Sequence, residues 1–361
     1  MGGPLRIGVI GVGNISAQYF ATIPSLPNLE LVAVADLDRD RAEQVAAVNG
    51  VRALSVDELF ASPEVDAVLN LTIPAAHVDV ALRALEAGKH VYSEKPFGLT
   101  TANARALLGV RDDGLRVGSA PDTPLGTGVQ TARRALDDGM IGDAVGASVH
   151  WLSAGHERWH PAPAFYYQPG GGPLFDMGPY YLTSLVTLFG PVVRVSGVAS
   201  RSTRVRVVSD GPLAGTEVPV DVETHVTALL EHEHGVTSTV TVSFEVWATK
   251  APQFEVYGTE GTLLMPDPNL FSDATHVWTE RDQDWKELPV SAGYRNAGRG
   301  VGLADMAAAI GRGVAHRASG ELAFHVLEIM EAILVGSAEH RVVTLTSSVA
   351  RPDAVALSAR P

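Results

Sequence analysis

Residues 5–10 form a short apolar run closed by glycines, the pattern of a strand buried on both faces of a parallel sheet. Residues 29–35 and 66–73 repeat it, and residues 90–92 and 115–117 are shorter candidates. Between these runs the period changes. Residues 39–48, 77–87 and 102–110 carry apolar side chains at three- and four-residue steps, which predicts helices. Gly50 and Gly88 stand where a left-handed residue ends a helix. Strands and helices alternating at this period predict βαβ units with right-handed crossovers, hence a doubly wound parallel sheet.

The texture changes after about residue 120. Residues 127–136 predict one more helix, ended by Asp137-Asp138-Gly139. Beyond it come β-branched runs at 144–152, 192–208, 222–230 and 236–246, many alternating apolar with polar positions. That alternation suits an antiparallel sheet with one wet face. Glu231-His232-Glu233-His234-Gly235 predicts a solvated hairpin turn, a far better fit than a metal site for His232 and His234. Helices at 302–310 and 321–335 close the pattern, and the tail from Arg351 to Pro361 is expected to be loosely held.

Composition narrows the function. At 361 residues the chain exceeds what one core usually serves, so two domains are expected. With 46% apolar residues and a mean hydropathy of +0.12, it has ample material to bury. A net charge of −14 without a Lys/Arg cluster excludes a nucleic-acid partner. No apolar stretch approaches the ~18 residues of a membrane span, and the first residues lack a targeting pattern. The absence of cysteine excludes disulfides and thiolate chemistry and fits a cytoplasmic protein. Lysine is scarce: only Lys89, Lys95, Lys250 and Lys286 occur.

Gly11-Val12-Gly13-Asn14-Ile15-Ser16 follows the first strand and precedes a helical segment. In such a turn the first glycine bends the chain, the second admits a pyrophosphate and the third allows close packing, a position Ser16 fills here. The second strand ends at Asp36, where a carboxylate can accept hydrogen bonds from an adenosine ribose. Its charge opposes a 2′-phosphate, so NAD(H) is favoured, while Arg39 and Arg41 leave NADP(H) open. Lys95 lies just past a third strand end, the ligand-binding edge of such a sheet. Burial beside a positively charged nicotinamide would make a lysine a proton carrier, a role arginine cannot fill.

These pieces together resemble the Gfo/Idh/MocA family of oxidoreductases. The resemblance rests on Gly11 to Ser16, Asp36, Thr72-Ile73-Pro74-Ala75-Ala76-His77, Ala87-Gly88-Lys89-His90-Val91, Glu94-Lys95-Pro96 and Asp176-Met177-Gly178-Pro179-Tyr180. It implies an α/β fold: an N-terminal Rossmann domain over residues 1–122 and a C-terminal α+β domain over 123–361. The latter would carry a large, mainly antiparallel open sheet for substrate binding and oligomerisation, with its late segment free to pack back on the first domain. The implied cofactor contacts are Gly11, Gly13, Asn14, Ile15, Asp36, Thr72, Pro74, His77, Glu94 and Lys95.

Asp176 and Tyr180 stand four residues apart in a helical pattern. The resemblance implies that they meet Lys95 across the substrate, as catalytic residues. Lys95 or Tyr180 would take the hydroxyl proton, and Asp176 would orient the substrate or Lys95. Many family members have histidine where this chain has Tyr180. Asp122, Trp159, His160 and Tyr181 are further candidates for substrate contact, the aromatic segment between Trp151 and Gln168 being suited to sugars. No metal is expected. The reading is an NAD(P)-dependent oxidoreductase of a sugar, polyol or cyclitol, acting as a homodimer or homotetramer. An NAD-dependent glycoside hydrolase and a non-catalytic NAD/sugar-binding regulator are the alternatives.

Overall fold

The structure is a computed structural model that describes residues 3–109 and 114–361. Val110, the expected end of one helix, lies outside the described residues. The chain divides into two compact units. The first comprises Met1–Gly126, Tyr294–Phe324 and Val355–Pro361, the second Thr127–Gly293 and His325–Ala354.

In the first unit, β1 (Leu5–Ile10), α1 (Ser16–Thr22), β2 (Leu29–Ala35), α2 (Arg39–Asn49), β3 (Arg52–Ala53), α3 (Val56–Ala61), β4 (Ala67–Asn70), α4 (His77–Glu86), β5 (His90–Ser93), α5 (Thr101–Gly109) and β6 (Val117–Ser119) alternate along the chain. The strands form one parallel sheet in the order β3-β2-β1-β4-β5-β6. Strand order reverses between β1 and β4, the switch point at which open α/β sheets hold ligands. Ile7, Val9, Val34, Val68, Leu69 and Val91 have no exposed surface, which is why these strands read as continuous apolar runs. Local signals set the helix ends. Asp38 accepts the Arg41 N–H at the start of α2, and Gly50 closes that helix with φ +67°. Ser55 and Glu58 form a reciprocal capping box on α3.

The second unit opens with α6 (Thr127–Asp137), β7 (Ala144–Leu152) and α7 (Gly172–Phe189), followed by β8 (Val192–Ser200), β9 (Val205–Val207), β10 (Glu217–Pro219), β11 (His225–His232) and β12 (Thr237–Ser243). Then come β13 (Phe254–Gly258), β14 (Gly261–Leu264), β15 (His276–Thr279) and β16 (Trp285–Glu287). α8 (Val301–Arg312) belongs to the first unit, α9 (Gly320–Glu339) continues into the second, and β17 (Val343–Thr344) ends the element order. Nine strands make one open sheet, β16-β15-β14-β13-β7-β12-β11-β8-β17, in which only β7 and β12 pair in parallel. One face is covered by α7, which packs on β11 and β12. The other is left open, as alternating burial along β11 and β12 requires.

Two expectations change. The 192–208 run is two strands, β8 and β9, in different sheets. The tail is held, not loose: the Arg351 guanidinium donates to the Thr187 carbonyl and pairs with Asp137, Val355 is 2% exposed, and Asn296 N–H donates to the Ala359 carbonyl. Among the described residues no helix is long and apolar enough to cross a membrane.

Candidate active site

The chain leaves β1 at Gly11, where φ is +89°. A Cβ there would stand 2.8 Å from backbone atoms of Leu71 and Thr72, so only glycine lets the turn lie against the end of β4. Gly13 differs: it is exposed, and a Cβ would meet nothing within 4 Å. Its open side, with exposed Asn14 and half-buried Ile15, is where a pyrophosphate can approach the backbone. Ser16, in place of a third glycine, is buried and donates its hydroxyl to the Gly13 carbonyl at 2.7 Å. The turn is thereby closed on itself.

Asp36 borders this turn from the end of β2. Its Oδ2 accepts the Val12 N–H at 2.8 Å, and Oδ1 accepts the Asp38 N–H at 2.9 Å and the Arg41 guanidinium at 3.0 Å. Arg39 turns instead to Glu43 at 2.9 Å, so Arg41 is the cation beside the carboxylate. An open glycine turn with an acidic residue at the next strand end fits a nicotinamide dinucleotide. Leu37, not singled out in the sequence, and Ile73 are 96% and 69% exposed in the segments that follow β2 and β4. Apolar side chains in such positions offer a surface to a flat base.

Behind the turn lies a set of buried polar side chains. Asn70, at the end of β4, donates to the His77 carbonyl and accepts from the Thr72 hydroxyl at 2.7 Å. His77, expected to touch the cofactor, is 1% exposed; its ring nitrogens lie 2.8 Å from the Pro96 carbonyl and 2.9 Å from the Thr72 carbonyl. It ties two strand-end loops together, and burial pulls its pKa down. Pro74, half-buried, opens the short 3₁₀ turn between them.

Glu94, also an expected cofactor contact, lies just past the end of β5. It is 6% exposed, and its carboxylate accepts from the Tyr19 hydroxyl at 2.8 Å and from the Lys95 N–H at 2.9 Å. Burial, then the Glu94 charge, push the Tyr19 phenol well above its ordinary value, so Tyr19 stays a donor. Glu94 therefore holds the backbone of the loop that presents Lys95. Lys95 itself is half-buried, past the end of β5 and next to the β4 end.

Asp122, a substrate candidate in the sequence, has no exposed surface. Its Oδ2 accepts the Gly300 and Gly302 N–H groups at 2.8 and 3.1 Å, with Arg299 3.7 Å from Oδ1, so it anchors the start of α8. Burial raises its pKa against the pull of Arg299 and those two N–H groups.

In the second unit, α7 starts after Gly171 with Pro173 in its first turn, a position where the missing N–H costs nothing. Asp176 and buried Tyr180 lie one turn apart on it. Asp176 Oδ2 is 2.8 Å from Nε2 of His156, a residue the sequence placed only within the aromatic segment. Trp159 is 61% exposed with its ring edge-on to His156 and to half-buried His160. Tyr181, expected to contact substrate, is the next residue of α7. It is fully buried, stacks on Phe254 and donates to Asp267 at 3.0 Å, so it packs the sheet against α7. His232 also departs from the solvated turn expected of it. It is 1% exposed between the Gly190 carbonyl and the Ser238 hydroxyl, and burial lowers its pKa to about 4.

Residues 5–113 match the model of an oxidoreductase family with an NAD-binding Rossmann fold, and residues 129–264 match the GFO/IDH/MocA C-terminal domain. The chain belongs to the Gfo/Idh/MocA family. Among its relatives, the Bos taurus trans-1,2-dihydrobenzene-1,2-diol dehydrogenase is 29% identical over 73% of this chain and 75% of its own length. A D-apiose dehydrogenase from Paraburkholderia graminis is 28% identical over 96% of this chain and 91% of its own. A solved levoglucosan dehydrogenase in complex with NADH superposes with a TM-score of 0.81 at 20% identity, covering 95% of this chain and all of the other, a likeness of fold. Among the described residues of this Gfo/Idh/MocA protein, no group of three or more His, Asp or Glu side chains stands together as a metal site.

Proposed function

We propose that the protein is an NAD(P)-dependent dehydrogenase or reductase acting on a secondary hydroxyl, or the matching keto carbon, of a sugar, polyol or cyclitol. The observation that carries this reading is the clustering of the Gly11 turn, Thr72 and Lys95 at the carboxyl ends of the adjacent strands β1, β4 and β5. The relatives favour the substrate class: apiose is a sugar, levoglucosan an anhydro-sugar, and the dihydrobenzene diol a cyclic vicinal diol. All three names share a ring or chain carbinol beside a second oxygen.

The Gly13 backbone and Asn14 would hold the pyrophosphate, and Asp36 the adenosine ribose. The nicotinamide, when bound, supplies the two-electron acceptor or donor for the carbinol carbon. Lys95, in its neutral amine form, takes the hydroxyl proton in the oxidative direction and returns it in the reductive one; Tyr180 is the other candidate for that proton. Asp176 fixes the orientation of the substrate. Exposed Trp159 and half-buried His160 offer a face and an edge to a polyhydroxyl ring. NAD(H) is the favoured cofactor because the charge of Asp36, at the end of β2, opposes a 2′-phosphate. Exposed Val198, Leu229 and Tyr257 on the open face of the nine-stranded sheet support pairing of two or four copies there.

The test is an absorbance screen at the NADH band with a panel of monosaccharides, inositols and anhydro-sugars, run with NAD and with NADP. Net reduction of cofactor with at least one of them is expected. Cleavage of a chromogenic glycoside with no accumulation of NADH would replace this reading with a hydrolase.

A further inference from the structure

Asp176 does not stand alone on α7. His156 sits on a 3₁₀ turn (His156–Arg158) with its side chain 6% exposed, and its Nε2 lies 2.8 Å from Asp176 Oδ2. Its other ring nitrogen, Nδ1, is buried and has no hydrogen-bond partner among the described residues. These two facts place the proton. An ionised carboxylate can only accept, so in the neutral ring Nε2 carries the hydrogen and Nδ1 keeps a bare lone pair. Burying a polar atom unsatisfied is costly, and an ordinary packed histidine would rotate to avoid it.

The surroundings prevent that rotation. The rings of Tyr166, Phe244, Trp159 and Trp151 surround the imidazole, with centroids 4.2, 4.6, 4.9 and 5.8 Å away. The backbone is pinned too. His156 N–H donates to the Tyr167 hydroxyl at 3.1 Å, and that hydroxyl donates to Glu157. Arg206, on β9, pairs with Glu157 at 3.0 Å and with Glu245 at 2.6 Å. Two carboxylates, an arginine and a tyrosine thus hold one loop residue in place, and the group it presents to α7 is a single N–H aimed at Asp176.

We propose that His156 is a positioning residue for Asp176: its Nε2–H fixes the rotation of the carboxylate and keeps Oδ2 committed as an acceptor, and the aromatic cage holds the ring in the tautomer that does so. The proposal rests on the reading that Asp176 serves the reaction. It assigns a role in turnover to a loop residue twenty positions upstream of Asp176.

The experiment compares His156→Phe, His156→Gln and Asp176→Asn in the full chain, using the panel sugar that gives the highest rate. Phenylalanine keeps the ring in its cage and removes the donor; glutamine restores an N–H of similar reach. His156→Phe is expected to lower kcat by about tenfold or more, as loss of an orienting partner typically does, with the NADH dissociation constant unchanged. His156→Gln is expected to recover most of that loss. Wild-type kcat in His156→Phe, or no recovery by glutamine in a folded variant, overturns the proposal. Nitrogen NMR of the ¹⁵N-histidine-labelled wild-type chain gives a readout independent of folding variants: the Nε2–H tautomer is expected, and Nδ1–H overturns the proposal. If Asp176→Asn turns over normally, the reading of Asp176 falls and takes the proposal with it. If Asp176→Asn is inactive while His156→Phe is not, only the proposal falls.

Discussion

Replacing Asp36 by serine tests the cofactor side of the site most directly. The carboxylate is 10% exposed and holds two backbone N–H groups at 2.8 and 2.9 Å, so it is fixed in place and cannot swing away from a larger cofactor. A 2′-phosphate on the ribose it contacts would bring like charges to about 4 Å, a repulsion of roughly 4 kcal/mol per unit charge near a protein surface. Arg41, 3.0 Å away but 47% exposed, offsets about 1 kcal/mol of that. The remaining ~3 kcal/mol corresponds to about 100-fold in discrimination. Asp36→Ser should therefore raise kcat/KM for NADP by about 100-fold. NAD, losing a charged hydrogen bond to its ribose, should lose about tenfold. Steady-state kinetics with both cofactors measure the ratio, and Asp36→Asn controls for loss of charge at constant side-chain length. Removing Arg41 in the serine background should take back part of the NADP gain. A ratio that does not move in a folded Asp36→Ser variant, or a wild-type enzyme that already prefers NADP, refutes the reasoning.

Further outcomes follow from the same structure. Lys95→Met should lower turnover by at least ~10²–10⁴-fold, the span of general acid–base catalysis, while NADH binding measured by fluorescence persists; unchanged turnover removes Lys95 from the mechanism. Gly11→Ala puts a Cβ 2.8 Å from the backbone of Leu71 and Thr72 at φ +89°, which should cost about 2–4 kcal/mol in urea unfolding and weaken NADH binding; a wild-type dissociation constant would count against the close-approach argument. His232 and His325 are both lowered by burial to about 4, so the native state binds fewer protons than the unfolded chain between that value and about 6.5. Stability is complete above about pH 6.5 and falls with pH below it. At pH 5 each histidine should cost about 2 kcal/mol, and equal unfolding free energies at pH 5.0 and 7.5 would contradict their burial as neutral groups.

The fold was legible where burial imposes residue type over a whole segment. β2 can be read to its end residues because Leu29–Ala35 is apolar at every position but exposed Glu30, and its last three residues are buried inside a parallel sheet. β13 to β16 left a fainter trace. Phe254 and Val256 are buried and alternate with Glu255 and Tyr257, but five residues of alternation are too few to stand out, and β16 has no buried residue. In the site, Gly11 stands out because backbone geometry restricts that position to glycine, Gly13 and Asp36 because they fall at fixed offsets from it in a known turn pattern, and the structure brings them to one edge. The lysine count pointed to Lys95, but it argues less than it promised. Lys89 is buried and donates to the Ser62 and Val65 carbonyls, so scarcity alone does not mark a reactive lysine; position past a strand end does.

The residues whose roles changed share a physical cause. His77, Glu94 and Asp122 carry polar side chains near the carboxyl edge of the sheet, and from the sequence each looks like a ligand contact. Each instead spends polar atoms inside the protein: His77 on the Thr72 and Pro96 carbonyls, Glu94 on the Lys95 N–H and the Tyr19 hydroxyl, Asp122 on the Gly300 and Gly302 N–H groups. A bond from a side chain to a remote backbone group leaves no spacing pattern, because any residue can supply the carbonyl or N–H at the other end. Loops at a switch point have no sheet partners of their own, yet binding requires them to be fixed to within a fraction of an ångström. Buried polar side chains supply that fixity, and being buried they are removed from the ligand itself. Polar residues beside a motif thus divide into those that touch the ligand and those that hold the chain that does. Burial, which no spacing rule encodes, is what separates the two sets.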